Sequence, residues 1–325
     1  MSVLLSAAGA MLIGLTGLVW GADRFVNAAA RGAKTLGVSP IVIGLTVVAF
    51  GTSAPEVIVA INSSLQGSGQ LAVGNGLGSN LANIGLVLGI TTLVKPIPAQ
   101  RHLLYQEAPI LLLVTALTGL CLINLYLGRP ENMLMLLLTP VLLWVTIKYK
   151  RTHPDQEERE FVEEIEGISK AAAIGGFLLG LTTMLLASHL LVWGAKIVAV
   201  ELGMSELIIG LTIVAIGTSL PELATSIAGT LRGHHDIAIG NVFGSNMFNL
   251  LLVIPAAGAI APMQLESVVF YRDYLIMALM TLVLVGAIFW THRRHHKQTV
   301  YLSRRFGGFL LIAYFAYIII LLPTH

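Results

Sequence analysis

Glu56 and Glu222 close two copies of one short motif, Gly51-Thr52-Ser53-Ala54-Pro55-Glu56 and Gly217-Thr218-Ser219-Leu220-Pro221-Glu222. Each copy lies inside an apolar stretch long enough to cross a membrane, where a carboxylate is costly and is by default a functional group. The proline one residue earlier has no N–H and crowds the carbonyl four residues back. It therefore frees backbone oxygens at Gly51 and Gly217, with Ala49 and Ala215 close by. In hydrocarbon such oxygens need partners, and irregular backbone is tolerated there where it lines a cavity. Thr52, Ser53, Thr218 and Ser219 add hydroxyls. Glu56 follows Thr52 by four residues, which predicts one face of one helix for the pair, and Glu222 repeats the spacing with Thr218.

A second stretch completes each set. Gly74-Asn75-Gly76-Leu77-Gly78-Ser79-Asn80 leads to Asn83, and Gly240-Asn241-Val242-Phe243-Gly244-Ser245-Asn246 leads to Asn249. Ser79 and Asn83 are one helical turn apart, as are Ser245 and Asn249. The small residues let this helix approach the glutamate-bearing one closely. Carboxylates, hydroxyls, amide oxygens and carbonyls form the oxygen-only set that suits Ca²⁺, Mg²⁺ or Na⁺. Neither Gly-Thr-Ser copy contains His or Cys, which argues against zinc or copper. The glycine-rich stretch has no following Lys and no preceding strand, so it is not a phosphate-binding loop.

The elements that carry these residues are themselves duplicated. Residues 37–83 laid over 203–249 without gaps give 23 identities in 47 positions. The same offset pairs Tyr105 with Tyr271 and Glu107 with Asp273. Upstream, Val19-Trp20-Gly21-Ala22 recurs as Val192-Trp193-Gly194-Ala195. A repeat of this length is far beyond a solenoid unit. It indicates a body built twice.

The chain is 56% hydrophobic and 11% charged, with a mean hydropathy of +0.84, which excludes an ordinary soluble domain. Ten stretches have the length that a bilayer core of about 30 Å requires: roughly 2–30, 38–63, 69–94, 104–125, 131–149, 170–196, 204–230, 236–260, 272–291 and 306–323. The predicted fold is an all-α integral membrane protein of ten transmembrane helices. Residues 1–150 form the first five-helix repeat and 170–325 the second, with an acidic linker at 151–169. Five helices per half turn the second half over relative to the first, and inverted repeats carrying a midplane site are characteristic of secondary transporters.

With the N-terminus outside, 16 Lys and Arg residues fall on inner loops and helix ends, against Arg129, Lys196 and Arg272 outside. The positive-inside rule selects that orientation, with both termini outside the inner membrane and the linker cytoplasmic. The net charge of +2 reflects this orientation and offers nothing to nucleic acid. The first stretch has no basic residue before Arg24 and reads as a retained helix, not a cleaved signal. The linker holds seven of the 17 acids, yet lacks the spacing and central Gly of an EF-hand loop, and reads as a solvated connection. Cys121 is the single cysteine, so no internal disulfide forms.

Four further groups have bland expectations. His189 is expected to make a helix-packing hydrogen bond. Glu107 and Asp273 sit at helix starts, where an acid meets the positive end of the dipole. Asp23 and Arg24 read as a local ion pair. The run His292-Arg293-Arg294-His295-His296-Lys297 reads as an inner basic loop.

The pattern G-T-S-x-P-E followed by G-N-x-x-G-S-N-x-x-N, present twice and covering most of the chain, resembles the α-repeats of the sodium/calcium exchanger family, as a bacterial-type member. The resemblance implies a central core made of the second, third, seventh and eighth helices, across which the first and sixth slide to alternate access. It also implies a central cation site at Glu56 and Glu222 with Thr52 and Thr218 in support. Flanking Na⁺ positions fall at Ser53, Ser219, Ser79, Ser245 and the carbonyls of Ala49 and Ala215. Asn83 and Asn249 take the remaining polar positions, where part of the family has Asp. The missing acid leaves the coupling ratio, and Na⁺ against H⁺ as driver, open. The implied activity is Na⁺/Ca²⁺ antiport without an enzyme reaction or cofactor. Inorganic cations and membrane lipid are the partners, and no obligate protein partner is indicated. An H⁺-coupled antiporter and a cation channel are the alternatives. An intramembrane hydrolase built on Ser188-His189 fails, because adjacent residues do not face each other across helices.

Overall fold

The computed structural model describes residues 2–98, 103–152, 169–203, 215–294 and 301–321. The linker residues 153–168, the start of the predicted seventh span at 204–214 and most of the basic loop, at 295–300, lie outside them. Among the described residues the regular structure is helical apart from four two-residue strands. Long helices are α1 (Ser2–Leu36), α4 (Gly69–Val94), α5 (Leu103–Leu122), α6 (Arg129–Thr152), α7 (Lys170–Glu201), α10 (His235–Ile260), α11 (Val269–Arg293) and α12 (Arg304–Leu321). Among the described residues these eight are long and apolar enough to cross a membrane. A ninth span is broken: α2 (Pro40–Thr52) and α3 (Ala54–Leu65) meet at Ser53 with a 44° bend. The equivalent break at Ser219 separates α8 (Ala215–Thr218) from α9 (Leu220–Leu231).

Proline causes both breaks. Pro55 and Pro221 enter the first turn of α3 and α9, where a missing N–H costs nothing, and so start new helices instead of continuing old ones. Thr52 and Glu56 are thus not on one helix face. Thr52 ends one limb and Glu56 opens the next.

Wide π-helical turns recur at the repeat offset. Asn83–Leu88 in α4 matches Asn249–Val253 in α10, and Leu103–Glu107 in α5 matches Val269–Tyr274 in α11. Such turns locally reset the face a helix presents. The first pair begins at the two asparagines of the candidate site.

Each sequence half is pinned to the other by its last helix. Strand β1 (Ile97–Pro98) pairs antiparallel with β4 (Tyr301–Leu302), and β2 (Tyr126–Leu127) pairs with β3 (Met263–Gln264). Arg129, opening α6, donates to the carbonyls of Ala259 and Ile260 at the end of α10. Arg304, opening α12, donates to Val94 at the end of α4. Val94 and Ile260 are repeat equivalents. In both cases a guanidinium caps helix carbonyls that lack an intrahelical partner.

The main apolar core lies between α4, α5, α10, α11 and α12. Helices α1 and α7 stand outside it and pack on each other in a second, alanine-rich cluster that also takes in Ile43 and Val48 of α2 and Ile237 of α10. Gly21 faces the backbone of Met184, Gly180 that of Phe25, and Gly14 that of Ala187, so any added Cβ would meet main-chain atoms. Lipid tails are as apolar as Leu, so close backbone approach, rather than hydrophobic exclusion, holds such a pair.

Asp23 on α1 does not pair with Arg24. It accepts from Arg232 just past α9 at 2.5 Å, while the Arg24 guanidinium lies 5.2 Å over Trp20. Nearby, burial and the Arg232 charge hold His234 down to about 4.

Candidate cation site

The two helix breaks and the two asparagine-bearing helices converge. Glu56 and Glu222 are each 1% exposed, one in the first turn of α3 and the other in that of α9. Glu222 and Ser79 on α4 both lie close enough to Glu56 to act on its carboxylate. Ser53, at the first break, donates to Glu222 Oε1 across the molecule at 3.3 Å. Thr52 donates to Asn241 Oδ1 at 3.0 Å and lies 3.4 Å from the Ser245 hydroxyl. Residues from one motif copy thus hold the carboxylate and hydroxyls of the other.

A quartet of asparagines ties α4 to α10. Asn249 Nδ2 donates to Asn80 Oδ1 at 3.0 Å, Asn80 Nδ2 to the Asn246 carbonyl at 3.2 Å, and Asn83 Nδ2 to Asn246 Oδ1 at 3.4 Å. These bonds use the amide donors of Asn249, Asn80 and Asn83, whereas Asn246 Nδ2 stays buried and unpartnered. Glu56 Oε2, Glu222 Oε2, Asn83 Oδ1, Asn249 Oδ1 and Ser219 Oγ are buried with no hydrogen-bond partner. Unpartnered buried polar atoms are costly. Five oxygens of this kind, two of them from carboxylates, suit a dehydrated hard cation. Among the described residues no group of three or more His, Cys, Asp or Glu has the arrangement of a metal centre.

The predicted residues are distributed as follows. Glu56, Glu222, Thr52, Ser53, Ser219, Ser79, Ser245, Asn83 and Asn249 are all buried around this region. The Ala49 carbonyl accepts from Ser53 N at 2.9 Å and from Thr52 Oγ1 at 3.3 Å, so it enters the site already engaged. In the second copy Ser219 N turns instead to Ile216 O at 3.1 Å, and so does not take up the Ala215 carbonyl. Thr218 is half-buried and borders a cleft of about 400 Å³ with Pro55, Ser188, His189, Trp193 and Lys196. His189 is exposed on the wall of this cleft and not in a helix seam. Ser188 donates to the Gly217 carbonyl at 2.9 Å, so its hydroxyl is not poised as a nucleophile.

Asn80, Asn246 and Asn241 were missed in the sequence as site residues. Asn241 is fully buried and donates to the Glu222 carbonyl and to Ser226 Oγ, both at 3.3 Å, while accepting from Thr52. All three stand inside the repeated motifs. The four-residue spacing of Ser79 with Asn83 marks one helix face, whereas Asn80, one position round the helix, meets the other half.

The model of the sodium/calcium exchanger protein family matches residues 6–148 and 172–322. The chain is 39% identical over 289 residues to the inner membrane protein YrbG of Escherichia coli, covering 86% of this chain and 88% of the relative. It is 30% identical over 343 residues to the sodium/calcium exchanger MaX1 of Methanosarcina acetivorans, covering 94% and 97%. A solved structure of the sodium-calcium exchanger NCX_Mj superposes with a TM-score of 0.82 at 28% identity, covering 98% of this chain and 99% of that one. The chain is an all-helical, multi-pass membrane protein and belongs to the sodium/calcium exchanger family.

Proposed function

We propose that this chain exchanges Na⁺ for Ca²⁺ by alternating access around Glu56 and Glu222. The carrying observation is the set of buried, unpartnered oxygens contributed reciprocally by the two motif copies. Thr52, Thr218, Ser53, Ser219, Ser79, Ser245, Asn83, Asn249 and the carbonyls of Ala49 and Ala215 complete the coordination. The ions are cargo, and no cofactor takes part.

The architecture in this reading is ten spans in two inverted halves, 1–150 and 170–325, joined by a cytoplasmic linker at 151–169, with both termini outside. The reciprocal strand pairs and the paired arginine caps support a two-fold relation between the halves. Broken helices with buried polar groups favour a carrier over a continuous pore.

Ca²⁺ uptake into proteoliposomes, driven separately by Na⁺ and H⁺ gradients, tests the reading. Glu56→Gln or Glu222→Gln keeps the shape and removes half of the formal charge facing a divalent ion. Each is expected to reduce uptake at least ~100-fold while insertion stays intact, because a charged ligand to a dehydrated ion is worth several kcal/mol. Near-wild-type uptake in a folded variant would remove that glutamate from the site. Uptake driven by H⁺ alone would replace Na⁺ as the coupling ion.

A further inference from the structure

We infer that Ser188 is a positioning residue, a register-specific latch that holds α7 against the broken helix in the conformation seen here. The inference rests on the alternating-access reading.

The first support is local. Pro221 has no N–H, so the carbonyl four residues back, that of Gly217, loses its helical donor. Ser188 Oγ supplies the replacement at 2.9 Å, with Ser188 buried. Gly217 is what allows this approach, since a Cβ there would run into the Val192 side chain. The bond therefore reports the axial register of α7 on α8. Displacement of α7 by one residue, about 1.5 Å along its axis, carries the hydroxyl away and leaves a bare carbonyl at membrane depth.

The second support is the setting. Ser188 and Gly217 both border the 400 Å³ cleft that also touches Thr218 and Pro55, next to the two glutamate-bearing breaks. The α1–α7 pair is joined main chain to main chain. It belongs to an apolar cluster that also takes in Ile43, Val48 and Ile237 and is distinct from the main core; on the alternating-access reading it is the unit that shifts. Two polar ties join it to the second half near the motif copy: Asp23 to Arg232, and Met184 Sδ accepting from Thr225 at 3.4 Å.

The third support is an asymmetry in the repeat. Aligning Trp20 with Trp193 places Leu15 opposite Ser188 and Lys196 opposite Asp23. In the mirrored conformation α1 would bring Leu15 to the carbonyl freed by Pro55. Leucine has no donor. Gln66, the equivalent of Arg232, would give Lys196 a neutral partner. The Ser188 bond thus has no counterpart in the other state, and the Asp23–Arg232 ion pair has only a Lys–Gln one, so Ser188 biases the equilibrium toward the conformation with the cleft open beside α7.

The test reads that equilibrium directly. In a Cys121→Ser background, cysteines at Val192 and, separately, at its repeat equivalent Val19 are labelled with impermeant thiol reagents from the two sides of reconstituted vesicles. Val192 borders the cleft here, and Val19 borders its mirror image after the shift. Ser188→Ala is expected to lower the ratio of Val192 to Val19 labelling about fivefold, the effect of one intramolecular hydrogen bond, and Ser188→Thr to restore it. Ser188→Gly, which also removes the hydroxyl and adds no thiol, should shift the ratio in the same direction and serves if the alanine variant folds poorly. An unchanged ratio in the folded Ala and Gly variants overturns the latch, including when the melting temperature falls. Labelling needs no ion flux, so the two readings fail separately. Wild-type vesicles that move no Ca²⁺ would sink the antiport proposal and leave the ratio to decide Ser188. A Val19 cysteine that never labels would sink alternation and the latch together.

Discussion

At the scale of single residues, the candidate site is built from two negative charges and a surplus of neutral oxygens. Asn249 commits its amide donor to Asn80 and turns an unpartnered oxygen outward, and Asn83 does the same through Asn246. Both amides thereby act as acceptors with fixed orientation. Two carboxylates balance one Ca²⁺ or two Na⁺, and a third monovalent cation would leave excess positive charge in a poorly screened site. Asn249→Asp adds a charge where a cation is proposed to bind. A unit charge about 4 Å from a cation is worth ~4 kcal/mol at an effective dielectric near 20, offset by desolvation of the new carboxylate and by loss of the bond to Asn80. The expected net result is Na⁺ affinity tighter by roughly tenfold and a change in the charge moved per cycle. Reversal potentials under imposed Na⁺ and Ca²⁺ gradients measure the second quantity. Identical reversal potentials and affinities in the two proteins would show that position 249 does not set coupling.

At the scale of elements, glycine sets how closely the helices can stand. α2 and α10 touch main chain to main chain: a Cβ at Gly244 would sit 2.5 Å from the Leu45 carbonyl and 2.6 Å from the Ala49 side chain. That contact places Thr52 against Asn241 and Ser245. Backbone atoms cannot swing aside as a long side chain can, so Gly244→Val should separate the two helices. Overpacking of this kind costs about 1–3 kcal/mol and here would also pull the Thr52 hydroxyl out of register. The expected outcome is a lower melting temperature in detergent and loss of most Ca²⁺ uptake. Gly286→Ala, with open space around an added Cβ, is the control and should change neither. A Gly244→Val protein with normal uptake would show that this close approach does not position the site.

At the scale of the whole molecule, the two halves exchange parts. The final helix of each is fastened to the other by a strand pair and an arginine cap, which ties the periphery together around the broken helices. The α1–α7 pair packs on this frame through α2, α9 and α10, with Asp23 bonded to Arg232 and Met184 to Thr225. In the proposed cycle the frame, fastened at both ends, is the body against which that pair moves. The proposed orientation follows from the distribution of basic residues. A cysteine at Ser68 should react with an impermeant thiol reagent in intact cells, whereas one at Gln156 should react only after permeabilisation. The reverse pattern would overturn the assignment of sides.

The sequence by itself determined the duplication, the membrane setting and the chemistry of the site. Glu, Ser, Thr and Asn in apolar segments are visible without coordinates because hydrocarbon makes each of them expensive, and a doubled motif excludes accident. Pro55 and Pro221 located the helix breaks for the same local reason: a missing N–H is a property of the residue. Tertiary structure decided the partners. Nothing within the spacing of Thr52 and Glu56 shows that a 44° bend separates them, or that Thr52 turns to Asn241 and Ser245 in the other half. Asp23 found Arg232 and not its neighbour Arg24, because helix faces, rather than sequence adjacency, bring side chains together. Asn80, Asn246 and Asn241 acquired roles only when α4 met α10 and α10 met α9. Ser188 became legible once α7 lay against a carbonyl that proline had freed, a contact across 29 residues that no local rule specifies. Local chemistry is written in residue types, but which buried donor meets which buried acceptor depends on how the helices pack.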